Sequence, residues 1–171
     1  MSWTKEDKVT IAVTGLAWMG QGIRSINSIL EEILPQANDE VQIVAYRITQ
    51  GATGFLESIT ECLNRGVKVN LIINRLDKQP IETKKRLLRL VSQFHHFSLF
   101  DFSPENVEED LHAKLIVLDR TKALVGSSNI TWRGLVLNHE LGVIIEGQSA
   151  SKIGGLIDSL TRDPRTKKVT A

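Results

Sequence analysis

Apolar and polar positions follow a regular order along the first half of the chain. Runs rich in β-branched residues predict strands, and each run is followed by apolar residues at helical spacing. Pro35 and Gly66 end the first two helical patterns, and Pro80 suits the first turn of the third. The predicted order is a strand at 9–13, a helix at 23–34, a strand at 41–47, a helix to 65, a strand at 67–73 and a helix at 80–93.

The second half is richer in strands. Strands are predicted near 97–102, 111–119, 123–125 and 141–145, with an acidic loop at 105–110. A closing helix is expected to face inward with Ile153, Leu156, Ile157 and Leu160. Together the patterns predict an α/β fold with a mixed β-sheet flanked by helices. We expect one domain over 1–161 and a loose, polar, basic tail over 162–171.

Composition narrows the class of protein. The 171 residues suit one domain, and 21 Lys and Arg against 20 Asp and Glu give a net charge of only +1. This balance argues against coating nucleic acid by bulk charge, so any binding depends on local patches. A single cysteine excludes an internal disulfide. No apolar run is long enough to span a membrane, so we expect a cytoplasmic protein without stable membrane association.

The most informative run surrounds His112 and Lys114. In a strand these two side chains point to the same side, about 6.6 Å apart, while Leu111, Ala113, Leu115 and Val117 fill the other. The apolar neighbours predict an interior strand, where a lysine needs an anionic partner. Asp119 falls on the opposite face and begins a turn.

A small-residue loop with hydrogen-bond donors follows downstream. It comprises Gly126, Ser127, Ser128 and Asn129, and it suits an oxyanion. Glu140 opens the next strand and offers a carboxylate to orient the imidazole. A core histidine beside a snorkelling lysine would explain the pair alone but not the whole set, which is typical of phosphate handling.

These residues also resemble a known family. His112-x-Lys114-x-x-x-x-Asp119, followed by Gly126-Ser127-x-Asn129 and Asn138-x-Glu140, resembles the phospholipase D superfamily, the HKD proteins. The resemblance implies a phospholipase D-like fold and metal-independent cleavage of phosphodiesters, with no cofactor. It implies that His112 is the nucleophile and forms a phosphohistidine. Lys114, Asn129 and Ser127 would hold phosphate oxygens, Glu140 would fix the imidazole, and Asp119 would be structural.

The chemistry needs a second histidine, because the leaving oxygen requires a proton. Family members with two motifs supply both histidines, but this chain contains only one motif. His139 and the pair His95 and His96 lack the motif context. We therefore predict a homodimer that places two copies of His112 across a twofold axis.

Three functions fit the sequence. The first is a DNA endonuclease, with single-stranded DNA or RNA left open as substrates. The candidate nucleic-acid-binding residues are Lys84, Lys85, Arg89, Trp132 and Arg133, together with Arg86 and the segment 165–168. A solvated helix, a disordered tail and a packed Trp are the plain alternatives. The second function is a phospholipase, and the third is a nuclease-fold subunit of a helicase or restriction assembly.

Overall fold

Strands and helices alternate as the hydrophobic pattern predicts. A computed structural model describes residues 6–106 and 108–170, so Val107 of the acidic loop lies outside the described residues. The strands are β1 (Lys8–Thr14), β2 (Arg24–Ser25), β3 (Glu40–Ala45), β4 (Lys68–Asn74), β5 (Phe97–Phe102), β6 (Leu115–Leu118), β7 (Lys122–Gly126), β8 (Glu140–Glu146) and β9 (Thr166–Lys168). The α-helices are α1 (Ile26–Ile33), α2 (Thr53–Asn64), α3 (Ile81–Gln93) and α4 (Gln148–Thr161).

The nine strands form one mixed sheet in the order β2-β1-β8-β7-β6-β3-β4-β5-β9. Strands β3, β4 and β5 are parallel neighbours, whereas β6, β7, β8 and β1 pair antiparallel. Val44 pairs with Leu115, and Thr14 pairs with Glu140. The ends of β1, β3 and β7 therefore lie beside the starts of β6 and β8. We call this side of the sheet the carboxyl edge. The predicted fold class is therefore confirmed.

Two layers of apolar side chains cover the sheet. The larger cluster packs α1, α2 and α3 on one face, and the smaller packs α4 on the other. Successive side chains of β6 point to opposite faces and so contribute to both clusters: Ile116 and Leu118 belong to the larger cluster and Val117 to the smaller. Each fully buried side chain of this kind contributes roughly 1.5–3 kcal/mol, so the register of β6 is strongly fixed.

Three details differ from the predicted pattern. Strand β6 begins at Leu115 rather than 111, because its partner β3 ends at Ala45 and leaves the preceding residues without a ladder. Helix α3 buries Thr83, Leu87 and Leu90 at helical spacing, while Leu88 and Val91 are only half-buried. Leu156, predicted to face inward on α4, is 66% exposed.

The last segment is also better ordered than its composition suggests. Residues Thr166–Lys168 form β9 and pair antiparallel with β5, so the prediction of a loose tail is wrong for this stretch. Arg165 pairs with Asp163 and with Glu109. In the described part of the chain, no helix is both long and apolar enough to cross a membrane.

Candidate active site

His112 and Lys114 lie at the carboxyl edge in an extended segment just before β6. His112 is exposed and Lys114 half-buried, so the prediction of an interior strand position is wrong. Their side chains nevertheless meet: the Lys114 Nζ lies 3.1 Å from Nδ1 and 3.3 Å from Nε2 of His112. The ammonium also donates to the His112 carbonyl oxygen at 2.7 Å. A cation is thus held directly beside an accessible imidazole.

Tyr46 forms one wall of this site and was not identified from the sequence. Its ring centroid lies 4.5 Å from that of His112 and 5.2 Å from Lys114 Nζ. Burial lowers the pKa of Lys114, and the charge of Glu140 partly opposes this effect. The only signal in the sequence was that Tyr46 directly follows β3.

The loop after β7 brings Asn129 to the same edge. A parallel bridge between Ile48 and Ile130 ties this loop to the chain beyond β3. The Asn129 Oδ1 atom is buried, and among the described residues it has no hydrogen-bond partner. Gly134 permits the close packing of this loop, because a Cβ there would overlap the Asn129 carbonyl oxygen. The loop that carries Asn129 is therefore held in place by close backbone packing.

Glu140 contacts neighbours other than the expected imidazole. The Ser127 hydroxyl donates to one carboxylate oxygen, and the Asn138 amide donates to the other at 3.3 Å. The ring nitrogens of His112 lie against Lys114 instead, so the predicted bond from Glu140 to His112 is absent among the described residues. Ser127, predicted as a phosphate donor, is engaged with Glu140, and the neighbouring Ser128 hydroxyl donates to the Asn129 carbonyl.

Asp119 lies at the opposite end of β6, away from these groups. Its carboxylate accepts hydrogen bonds from the backbone amides of Asn38, Asp39 and Glu40 at 2.8–2.9 Å. Burial raises the pKa of Asp119, but these hydrogen bonds outweigh burial and lower it. Asp119 fixes the entry to β3 and takes no part in the site's contacts.

The candidate nucleic-acid-binding residues fall into two groups. Lys85 and Arg89 line a groove between α2 and α3, whereas Lys84 on the same helix does not. Trp132 is 52% exposed and Arg133 begins the turn that follows the Asn129 loop. The segment 165–168 is less available, because Arg165 is engaged by two carboxylates.

His112, Lys114 and Asn129 thus present an imidazole, an ammonium and an amide at one sheet edge. This set suits a tetrahedral anion, because the ammonium and amide can donate to anionic oxygens beside the imidazole. Within 6–106 and 108–170, no three His, Cys, Asp or Glu side chains are grouped closely enough to hold a metal ion.

Comparison with known proteins shows the family and the fold. The model of the family "Cardiolipin synthase, PLD-like domain" matches residues 30–157. The crystal structure of Nuc, a phospholipase D family member from Salmonella typhimurium, superposes with a TM-score of 0.76 at 17% identity, over 97% of this chain and 100% of that one. The fold is therefore that of the phospholipase D class, and the chain belongs to the phospholipase D-like family.

Two curated relatives indicate the breadth of this family. The DISARM protein DrmC of Bacillus paralicheniformis is 24% identical over 149 residues, which cover 86% of this chain and 60% of that protein. The virion nicking-joining enzyme of Monkeypox virus is 29% identical over 97 residues, covering 57% of this chain and 22% of the enzyme. The chain therefore spans less than two thirds of the length of the first relative and about a fifth of the second.

Proposed function

We propose that the protein is a metal-independent phosphodiesterase, and most specifically a DNA endonuclease that acts through His112. The observation that carries the proposal is the contact of the Lys114 ammonium with the accessible His112 ring. A cation beside a nucleophilic imidazole is the minimum set for attack on a phosphodiester. Membership of the phospholipase D-like family supports the same reaction class.

The proposed reaction has two steps. A His112 ring nitrogen attacks phosphorus, the N–P bond forms, and the bond from phosphorus to the leaving oxygen breaks. A second imidazole gives its proton to that oxygen, and water then cleaves the N–P bond to regenerate His112. Lys114 and Asn129 donate to the non-bridging oxygens as their negative charge increases.

The second imidazole is proposed to come from another copy of this chain. Exposed apolar side chains occur around the carboxyl edge: Leu16 is 92%, Leu137 56%, Leu141 47% and Met19 45% exposed. Apolar side chains clustered near a site that contains one motif histidine fit burial against an identical subunit. We therefore propose a homodimer with a shared site.

Two other functions remain as candidates with their own support. The family description names cardiolipin synthase, which favours a lipid phosphodiester. Similarity to a DISARM protein favours a subunit that works with partner proteins such as a helicase or restriction component. DNA is preferred here because exposed Trp132 and the basic residues of α3 offer stacking and phosphate contacts.

The central test is cleavage by purified protein in the presence of EDTA. Single-stranded DNA, duplex DNA, RNA and phosphatidylcholine are compared side by side. DNA should be cut, and His112→Ala should abolish cutting with unchanged thermal unfolding. His95→Ala is the matched control, since His95 is exposed at the opposite edge of the sheet. Activity that survives His112→Ala, or that requires an added divalent metal, would contradict the mechanism.

The dimer is tested separately by sedimentation. Leu16→Asp should convert a dimer to a monomer and remove activity, whereas Leu156→Asp changes another exposed leucine, on α4, and should do neither. A monomeric and fully active wild-type protein would exclude the shared site.

A further inference from the structure

A polar groove runs between α2 and α3 on the face of the sheet that these helices cover. Its volume is about 480 Å³, which lies in the range of ligand-binding pockets. Leu56 and Leu90, both buried, form its floor. Its rims carry polar and basic side chains, namely Gln50, Thr53, Lys85, Arg86, Arg89 and Gln93.

The charge of the groove is positive and largely uncompensated. Glu82 is its only lining carboxylate, and it is paired with Lys85 at 2.9 Å. Across the described ranges, neither Arg86 nor Arg89 has an ion-pair partner. These two arginines are three residues apart and lie on the same face of α3, so both side chains line the same groove.

The groove approaches the loop that carries Asn129. Gln50 lines the groove, and the adjacent Gly51 packs against Trp132 of that loop: a Cβ at Gly51 would lie 2.9 Å from the Trp132 Cβ. Trp132 is 52% exposed and follows Asn129 by three residues. An exposed aromatic residue of the Asn129 loop therefore contacts the chain directly beside the basic groove.

We propose that the α2–α3 groove binds the backbone of a single-stranded nucleic acid whose scissile phosphate lies at His112. Trp132 stacks on a base between the two sites, and Arg86 and Arg89 contact successive phosphates. The inference rests on the proposed nuclease function and adds a second binding site to it. It also gives a chain with a net charge of +1 a local way to hold a polyanion, because Arg86 and Arg89 place two positive charges, without ion-pair partners among the described residues, side by side.

The dimensions limit the ligand. The stripe from Glu82 to Gln93 spans about 16 Å at ~1.5 Å per residue, which accommodates roughly three to five phosphates of one strand. A cleft between two neighbouring helices admits one backbone rather than a duplex. Binding should therefore depend on the length of the strand beyond the cleaved bond.

The test compares Arg86→Gln/Arg89→Gln with Lys84→Gln. Lys84 is the matched control, since it is a basic residue of α3 that does not line the groove. Binding of a 12-nucleotide oligothymidylate is measured by anisotropy in a His112→Ala background, and cleavage of a dinucleotide is measured with His112 present. The double variant should bind about tenfold more weakly, and its salt slope should fall by about 1.4 for two lost phosphate contacts at ~0.7 each. Dinucleotide cleavage should not change.

The outcomes separate the two proposals. If the double variant binds the oligonucleotide like the Lys84→Gln control, the groove proposal is wrong even where cleavage occurs. If wild-type protein cleaves no diester but binding still depends on Arg86 and Arg89, the groove proposal holds and the nuclease function fails. Equal competition by poly-glutamate, or equal affinity for a blunt duplex, would overturn the groove as a single-strand site.

Discussion

Arg75 is expected to hold in place the loop that leads to His112 and Lys114. This buried residue has a φ of +43° directly after β4. Its guanidinium donates to the carbonyls of Asn106 at 2.7 Å, Glu109 at 3.0 Å and Pro104 at 3.3 Å, and to the Asp110 carboxylate at 3.2 Å. These acceptors all belong to the segment that ends two residues before His112.

The effect of Arg75→Met follows from these contacts. Methionine keeps much of the apolar stem but removes every donor, so several partly buried acceptors lose their partner. A buried acceptor left unpaired costs about 1–3 kcal/mol, and water reaches part of this loop, so we expect a total loss of about 2–4 kcal/mol. Activity should fall as well, because a shift of about 1 Å in a catalytic group can cost roughly a hundredfold in rate.

Chemical denaturation and steady-state cleavage measure the two effects. Arg65→Met is the control, since Arg65 also donates to two carbonyls, those of Leu34 and Ala37, but lies at the end of α2 away from the site. It should lose stability and keep kcat. Arg75→Lys should restore part of the stability. If Arg75→Met leaves both the denaturation midpoint and kcat unchanged, the loop is held by other contacts, such as the Asn74 side chain's bond to the Leu111 amide.

Three further predictions concern single side chains. Tyr46→Ala should lower kcat roughly tenfold, because it removes the ring that contacts His112 and Lys114. Tyr46→Phe keeps the ring, so its kcat should stay within about twofold of the wild-type value. Equal losses in the two variants would refute a role for the ring contact. Asp119→Asn should cost about 1–3 kcal/mol at pH 7 by urea denaturation with the folded enzyme still active. Because folding lowers the pKa of Asp119 below its ordinary 3.8, its contribution is present above that pH and is lost as the pH falls through the folded value, so wild type and variant should converge there. Gly134→Ala should displace the Asn129 loop and reduce cleavage more than stability, and a fully active variant would show that the loop adapts.

The sequence pattern predicted the alternation of elements well because burial imposes it locally. Strands β3 and β4 are buried on both faces and consist mainly of apolar residues, interrupted by Gln42 and Asn70, and helix α2 repeats its buried residues at helical spacing. The start of β6 could not be predicted in this way. Leu111 to Lys114 has the composition of a strand, but the ladder depends on where β3 ends, which only the assembled sheet determines.

The composition of the site was similarly easier to predict than its contacts. His112, Lys114 and Asn129 do come to one edge, as their positions beside strand ends indicate. Tyr46 and Arg75 carry no motif and act through geometry that depends on residues far along the chain. Glu140 was assigned to the imidazole, but Ser127 and Asn138 are its neighbours at the start of β8 and satisfy its oxygens first.

The register of the central sheet links the core to the chemistry. Lys114 directly precedes Leu115, the first residue of β6, which pairs with Val44. The alternation of Leu115, Ile116 and Val117 between the two faces therefore determines on which side of the sheet the ammonium lies. A slip of one residue would exchange Ile116 and Val117 between the two hydrophobic layers and turn Lys114 to the opposite face of the sheet. The stability of the apolar layers therefore also fixes the direction of the Lys114 ammonium, while buried Arg75 and its hydrogen bonds hold the segment that precedes His112.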